Sequence, residues 1–174
     1  SNMPDGGYPF GRITEFSGIE SAGKTAMCVA AIANCQRYYN GIGIFLDQEN
    51  TFDERFAEKF GLNPDRTLYF QFPTFEDLIV GVMNLTDKAY AMDPDVKMVI
   101  VWDSLPATPP RPIVEQDPRK SPIIGGVARY TSYFLQKYIS SLFAGKHIAF
   151  LIINQRRDKI GGNSFYGPQD DATG

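Results

Sequence analysis

The chain has 174 residues, which is enough for one domain of ordinary size with a buried core. The composition is 43% hydrophobic and 21% charged, with 16 Gly and 12 Pro, and these proportions exclude collagen-like, coiled-coil and wholly disordered proteins. The net charge of −3 argues at first against a surface covered with basic side chains for nucleic acid.

The sequence gives no sign of membrane insertion or secretion. No run of about 18 apolar residues occurs, and the start, SNMPDGGYPF, has neither the basic end nor the apolar stretch of a secretory signal. We therefore expect a cytoplasmic protein with no membrane partner. Ser1 and Asn2 precede Met3 and resemble the remnant of a cleaved tag, so residues 1–8 are expected to be this remnant and a lead-in, and residues 9–174 to form the domain.

Strands and helices are predicted to alternate along the chain. A strand over 12–18 is followed by a helix over 24–39, where apolar residues recur at helical spacing. A short β-branched strand over 41–47 comes next. Thr51 and Glu54 then form the pattern of a capping box, which predicts that a further helix opens there.

The second half of the chain continues this alternation. Segment 98–104 is nearly all apolar before its Asp, which is typical of a strand buried on both faces. The other predicted elements are a strand at 68–72, a helix at 75–92, a Pro-rich stretch without regular structure at 106–122, a helix at 125–143, a strand at 148–154 and a polar, Gly-rich final loop. The alternation predicts an α/β fold with a mostly parallel central sheet, helices on both faces, and ligands at the carboxyl ends of the strands.

The two cysteines are expected to be reduced core residues. Cys28 and Cys35 are seven residues apart in the predicted helix over 24–39, so both should lie on its buried face. One helical face does not bring two positions at this spacing within bonding distance, which argues against a disulfide or a metal site.

The sharpest motif is the segment 18–25, GIESAGKT, which fits the pattern G-x-x-x-x-G-K-[ST]. Glycines let the backbone wrap a phosphate with its N–H groups, and the following helix presents its positive N-terminus to the same anion. Lys24 then reaches the β- and γ-phosphates, and the Thr25 hydroxyl binds Mg²⁺. The residues assigned to nucleotide binding at this motif are Gly18, Glu20, Ser21, Ala22, Gly23, Lys24, Thr25 and Ala26.

Acidic residues after two other strands complete the predicted site. Asp103 ends an apolar strand and is expected to hold the Mg²⁺, with Ser104 beside it also assigned to nucleotide binding. The attacking water needs a base, and Asp47 and Glu49 both stand at the end of the strand over 41–47. Glu49 is favoured because it lies beyond the strand end at the ligand edge, whereas Asp47 is expected to finish the strand.

Five segments in order resemble the ATPase core of the RecA family of homologous recombinases. They are GRITEFSGIESAGKT, FLDQEN, VIVWDS, GGVARYTS and INQRRDKIG, and the likeness runs from about Pro9 to Gly174. The resemblance implies a P-loop NTPase fold of RecA type and a DNA-dependent ATPase that uses ATP and Mg²⁺. It also implies filament formation on single-stranded DNA, homologous pairing with double-stranded DNA, and strand exchange. Family members continue on both sides of this core, so a filament is implied for a full-length protein, and a monomer remains open for this chain.

The resemblance also implies roles for single residues in ATP hydrolysis. Glu49 is similar to the family's catalytic glutamate, with Lys24 beside the transferred phosphate, and Gln155 is similar to the residue that senses the γ-phosphate and passes the signal to the DNA loop that follows. Asp53 and Phe56 fall where the family contacts adenine, as a hydrogen-bond acceptor and a stacking ring. Two alternatives stay open: Gln155 as a strand-end amide bonded to backbone, and Phe56 as a core residue.

Two loops, 115–124 and 156–173, are implied to hold DNA. The implied contacts in these loops are Arg119, Lys120, Ile124, Arg156, Arg157, Lys159 and Ile160, and Arg129 and Ser132 are implied contacts near the start of the helix that follows the first loop. The two isoleucines of this set are similar to apolar side chains that wedge between base triplets. A charge cluster is usually a solvated surface, and this interpretation stays open for Arg119 and Lys120.

The distribution of charge agrees with a DNA-binding half. Residues 1–110 carry 8 basic and 15 acidic side chains, residues 111–159 carry 9 basic and 3 acidic, and residues 160–174 carry 2 acidic and no basic side chains. The net charge of −3 is therefore a sum in which an acidic nucleotide-binding part masks a basic stretch that contains both proposed DNA-contacting clusters.

Two other functions remain open. A replicative-helicase-like ATPase of the same fold would form a closed ring, and a regulatory protein would bind nucleotide without turnover. The interior of the phosphate loop and the segment INQRRDKIG are closer to recombinases, so they favour that function.

Overall fold

The computed structural model describes residues 7–19, 21–115, 132, 133, 135, 137, 143 and 145–155. Five strands form one parallel sheet in the order β1-β5-β4-β2-β3, with bounds β1 Arg12–Gly18, β2 Ile42–Asp47, β3 Thr67–Phe70, β4 Met98–Asp103 and β5 Ile148–Gln155. The helices are α1 Lys24–Tyr39, α2 Glu54–Lys59, α3 Phe75–Met92 and α4 Arg111–Val114, with 3-10 turns at Pro64–Arg66 and Leu105–Ala107. Within the described ranges, no helix combines the length and apolar character needed to cross a membrane.

Strand β4 forms the centre of the core. All six of its residues are buried, and it lies between β5 and β2. Alternate side chains of a strand point to opposite faces, so Val99 and Val101 pack on the side of α1, while Ile100 and Trp102 pack on the side of α3. Helices therefore cover both faces of a parallel sheet, which confirms the predicted α/β fold.

Helix α1 approaches the sheet closely at Gly43 of β2. A Cβ atom at this position would lie 2.4 Å from Cγ2 of Ile32, so the absence of a side chain permits the contact. Cys28 and Cys35 lie on the same face of α1, buried and without a disulfide, as predicted. Burial raises the pKa of Cys28 to about 12 and the pKa of Cys35 to about 11, in the second case against the lowering effect of two nearby cations.

The prediction of a capping box at Thr51 and Glu54 is wrong. The Thr51 amide N–H donates to Oδ1 of Asp47 at 3.1 Å, so the chain is still turning at this point. Helix α2 begins at Glu54, and Asp53 caps it by accepting a hydrogen bond from the Phe56 amide at 3.1 Å. An Asp is as good a capping residue as a Thr, and here the backbone of Thr51 is already engaged.

The prediction that 106–122 lacks regular structure is also wrong for the described part of this stretch. The turn Leu105–Ala107 and helix α4 each have a proline in the first turn, where the missing amide hydrogen removes no helical bond. The indole N–H of Trp102 donates to Oγ1 of Thr108 at 2.8 Å and ties this stretch to β4. The predicted helix over 125–143 falls mostly outside the described residues.

Candidate nucleotide site

The carboxyl edge of the sheet brings together residues that are far apart in sequence. Strands β1, β2, β4 and β5 end there at Gly18, Asp47, Asp103 and Gln155. The register places Gly18 beside Gln155 and Asp47 beside Asp103. The phosphate loop and the polar ends of three other strands are therefore neighbours, because parallel strands end at the same edge.

The loop between β1 and α1 has the geometry of an anion site. Gly23, the N-cap of α1, is left-handed with φ 78°, and Ser21 has φ 59°. Ala22 is exposed in the loop, and Ala26 is half-buried in the first turn. No side chain caps α1, and its first turn holds no acidic residue. The first N–H groups of this 16-residue helix and its positive dipole end can therefore meet an anion such as phosphate.

The ammonium group of Lys24 contacts the first residues of this loop. Its Nζ donates to the carbonyl oxygen of Gly18 at 3.2 Å and to that of Ile19 at 2.5 Å. An ammonium group has three N–H donors, so these two bonds leave one for an anion. The side chain is thus folded back on the loop that would hold the phosphates.

Thr25 and Asp103 form the candidate metal-binding pair. The Thr25 hydroxyl donates to Oδ2 of Asp103 at 2.7 Å, and Asp103 is only 3% exposed. Burial raises the pKa of Asp103, and the carboxylates of Glu49 and Asp47 raise it further, against the lowering effects of the Thr25 bond and the Lys24 charge. A nearby cation would stabilise the ionised form of this crowded carboxyl group.

The donor set fits Mg²⁺ that is shared with phosphate. A hydroxyl and a carboxylate oxygen are hard donors, and Mg²⁺ in proteins takes one or two such groups plus water and phosphate oxygens. Among the residues that the structure describes, no three His, Cys, Asp or Glu side chains form a cluster that could hold a metal by themselves. The pair of Thr25 and Asp103 therefore matches a cation that arrives with a nucleotide better than a resident metal.

The carboxylate of Glu49 joins two other strand ends. Gln155, the last residue of β5, donates from Nε2 to Oε1 of Glu49 at 2.8 Å and to Oε2 at 3.1 Å. The hydroxyl of Ser104, which follows β4, donates to Oε1. All three residues are at least partly buried. The amide of Gln155 is thus bonded to a side chain, in contrast to the alternative in which only backbone satisfies it.

Asp47 has a different position from Glu49. Its two carboxylate oxygens accept the amide N–H groups of Thr51 and Phe52 at 3.1 and 3.0 Å. It therefore supports the turn after β2, while Glu49 extends toward the ends of β4 and β5. Asp47 is the last residue of β2, as expected, whereas the role of Glu49 toward a water molecule stays a prediction.

The structure places Asp53 and Phe56 at the surface, at the start of α2. Asp53 is the N-cap, and one of its oxygens is engaged with the Phe56 amide. Phe56 as a residue is 41% exposed, and its ring lies 4.9 Å, between centroids, from the ring of Phe60. The alternative that Phe56 is a core residue is therefore wrong, and its exposed ring is free to stack on a planar ligand.

Most of the implied DNA contacts lie outside the described residues. These are Arg119, Lys120, Ile124, Arg129, Arg156, Arg157, Lys159 and Ile160. Glu20 of the phosphate loop, which is assigned to nucleotide binding, also lies outside the described residues. Ser132 is described as an exposed helical residue. The roles implied for this set remain predictions.

One polar contact at this edge has no counterpart in the sequence predictions. The side chain of Gln48 makes two hydrogen bonds with the backbone of Phe72. A Gln between two acidic residues carries no motif, and its partner is 24 residues away. Only the register of β2 against β3 indicates the contact.

Comparisons with known proteins all match the same family. The family model described as the RecA N-terminal domain matches residues 2–174. Protein RecA of Arthrobacter sp. (strain FB24) is 38% identical over 169 residues, which cover 97% of this chain and 45% of that protein. Protein RecA of Paenarthrobacter aurescens is 36% identical, with 97% and 72% covered, and that of Aquifex pyrophilus is 34% identical, with 90% and 42% covered. The chain thus spans less than half the length of the first and third of these relatives.

Proposed function

The chain belongs to the RecA family, and from this we propose that it is the ATP-binding core of a DNA recombinase. In this function it binds Mg²⁺ and ATP, binds single-stranded DNA, and contributes to homologous pairing and strand exchange with double-stranded DNA. Single-stranded DNA stimulates its ATP hydrolysis. The observation that carries the proposal is the contact of Glu49 with Gln155, because it joins the candidate base to the residue from which the second DNA loop starts.

The phosphate loop binds the nucleotide in this proposal. The N–H groups at the start of α1 bind the phosphates, and Lys24 turns from the carbonyl oxygens of Gly18 and Ile19 toward the β- and γ-phosphates. Thr25 and Asp103 would hold Mg²⁺, which neutralises charge on the phosphate oxygens when it is bound. The exposed ring of Phe56 stacks on adenine, and Asp53 accepts from its amino group through the oxygen that does not cap α2.

Glu49 orients the attacking water and takes its proton. Among the described residues, Oε1 of Glu49 accepts from Ser104 and Gln155, whereas Oε2 accepts only the longer bond from Gln155. Oε2 is therefore the better placed oxygen to receive a proton from water. The hydrogen bonds from Ser104 and Gln155 restrict the orientation of the carboxylate and so hold this oxygen in place.

Gln155 couples hydrolysis to DNA in this proposal. It is the last residue of β5, and the segment that starts at Arg156 is the second proposed DNA loop. DNA bound to that segment changes the position of the Gln155 amide and so the orientation of Glu49. The excess of basic side chains in residues 111–159 supports an interaction with the phosphate backbone. A homo-oligomeric filament is the assembly in which this coupling operates.

Turnover with and without single-stranded DNA tests the proposal. The parent chain should bind ATP and hydrolyse it faster when single-stranded DNA is added. The Gln155→Met variant should bind ATP equally well but lose the stimulation, and the double variant Arg129→Glu and Arg157→Glu should lose DNA affinity while it keeps ATP affinity. ATP binding without any turnover would instead indicate a nucleotide-binding regulator, and closed rings in electron micrographs would indicate a helicase-like ATPase.

A further inference from the structure

The side chain of Gln48 continues the β2–β3 ladder beyond its end. Main-chain pairing of these strands ends at Leu46 and Phe70. Two residues later on each strand, Gln48 stands opposite Phe72 in the same register. Its Nε2 donates to the Phe72 carbonyl oxygen at 2.8 Å, and its Oε1 accepts from the Phe72 amide at 2.9 Å. A side-chain amide therefore takes the place of a backbone amide in the ladder.

The backbone of Gln48 is bonded on the opposite side, to β4. Its amide N–H donates to the carbonyl oxygen of Asp103 at 2.7 Å. Residue 48 is thus held between the last residue of β4 and the segment that follows β3. Glu49 is the next residue, and Asn50 after it is left-handed with φ 56°. The sharp turn at Glu49 therefore starts from a residue that is fixed on both sides.

Phe72, the partner of Gln48 in this amide pair, is itself held in place by helix α3. A Cβ atom on Gly81 would lie 2.3 Å from Cε1 and Cζ of Phe72, so the ring of Phe72 occupies the space that a side chain at Gly81 would fill. The same ring packs against the core on that face of the sheet and lies 6.1 Å, between centroids, from the ring of Phe70. The backbone of Phe72 is therefore a firm attachment for Gln48.

We propose that Gln48 is a positioning residue for ATP hydrolysis, which acts by holding the turn that carries Glu49. The inference rests on the proposed function, in which Glu49 activates the attacking water. Without the amide pair, Gln48 keeps its backbone bond to Asp103, and the later part of the turn keeps its bonds to Asp47, but the turn loses its attachment to Phe72. Ångström-scale misplacement of a catalytic group costs about 10²-fold in rate, so a contact that prevents such movement affects the rate without touching substrate.

The Gln48→Met variant tests this role, because Met has a similar size but cannot form the amide pair. We expect kcat for ATP hydrolysis to fall by about 10- to 10²-fold, with KM for ATP within about twofold of the parent value, since no phosphate-binding group changes. Amide hydrogen exchange should become faster at Phe72 and also at Thr51 and Phe52 in the turn. Gln71→Met is the matched control, because Gln71 is exposed and adjacent to Phe72, and it should leave kcat and exchange unchanged.

A second variant displaces Phe72 and leaves Gln48 unchanged. Gly81→Ala places a methyl group against the Phe72 ring while it favours the helix, and it should accelerate exchange at the same three amides and lower kcat in the same direction. If Gln48→Met does not fold, this variant decides the question. An unchanged kcat, or faster exchange at Phe72 without any change at Thr51 and Phe52, overturns the proposal. A parent chain without turnover contradicts the proposed function instead, and exchange at Thr51 and Phe52 then decides whether Gln48 holds the turn.

Discussion

Replacing Thr25 by Val tests the link between the phosphate loop and strand β4. The Thr25 hydroxyl donates to the carboxylate of Asp103, which is 3% exposed. A hydrogen bond to a charged group contributes about 1.5–3 kcal/mol to stability, and Val has nearly the same shape without the hydroxyl. We expect the free energy of unfolding at pH 7 to fall by this amount. In a chain of this length each kcal/mol shifts Tm by about 2–4 °C, so Tm should fall by about 3–12 °C.

The loss of stability should depend on pH. Burial raises the folded-state pKa of Asp103 above 3.8, so this group contributes stability that is fully present below pH 3.8 and is lost as pH rises through the folded-state pKa. The Thr25 bond opposes that rise by stabilising the ionised form. Thr25→Val should therefore cost most at pH 7 and less at acidic pH, where the bond to a protonated Asp103 is neutral and contributes about 0.5–1.5 kcal/mol.

Thr86→Val is the matched control for this experiment. Thr86 is fully buried in α3, and its hydroxyl donates to the carbonyl oxygen of Met83 at 2.9 Å, a neutral acceptor. Its loss should cost about 0.5–1.5 kcal/mol at every pH at which the chain is folded. Thermal unfolding followed by circular dichroism, without nucleotide, measures both variants. Equal and pH-independent losses for the two variants would refute the reasoning, because they would mean that no ionised acceptor faces Thr25.

Three further experiments address the site and the core. Glu49→Gln should bind ATP with parent affinity but hydrolyse it about 10²- to 10⁴-fold more slowly; single-turnover kinetics at the parent rate would mean that another group activates water. Lys24→Ala should lose ATP affinity in a fluorescent-nucleotide titration, since the β- and γ-phosphates lose their cation, and unchanged binding would contradict the role of the phosphate loop. Cys28 and Cys35, with pKa values raised to about 12 and 11, should stay protonated and resist alkylation at pH 8 until denaturant is added; rapid alkylation of the folded chain would show that they are accessible thiolates.

Much of the fold and the arrangement of the site could be predicted from the sequence because strong local patterns determine both. The apolar run before Asp103 predicts a strand buried on both faces, and all six residues of β4 are buried. Parallel pairing then brings the ends of the strands to one edge, which is why residues as distant as Gly18 and Gln155 are neighbours. Their chemical roles remain predictions, since they follow from family resemblance and geometry together.

The features that could not be predicted depend on competition between nearby groups or on contacts between distant ones. Thr51 matches a capping box, but the carboxylate of Asp47 already binds its amide, so the helix starts later and Asp53 caps it. The spacing of Phe56 fits a core position as well as an exposed one, and only the placement of α2 decides between them. The partner of Gln48 depends on the strand register, which no local pattern determines.

In the proposed function, the hydrogen bonds between Glu49 and Gln155 limit how strongly DNA binding can change the rate of ATP hydrolysis through this contact. A ligand shifts an equilibrium only by its differential interaction with the two states. If DNA broke or remade this contact, the change would be that of a charged hydrogen bond, about 1.5–3 kcal/mol, which corresponds to about 10- to 150-fold in rate. A change in the Glu49–Gln155 contact alone is enough to account for stimulation within that range. Stimulation well above that range would require interactions other than this contact.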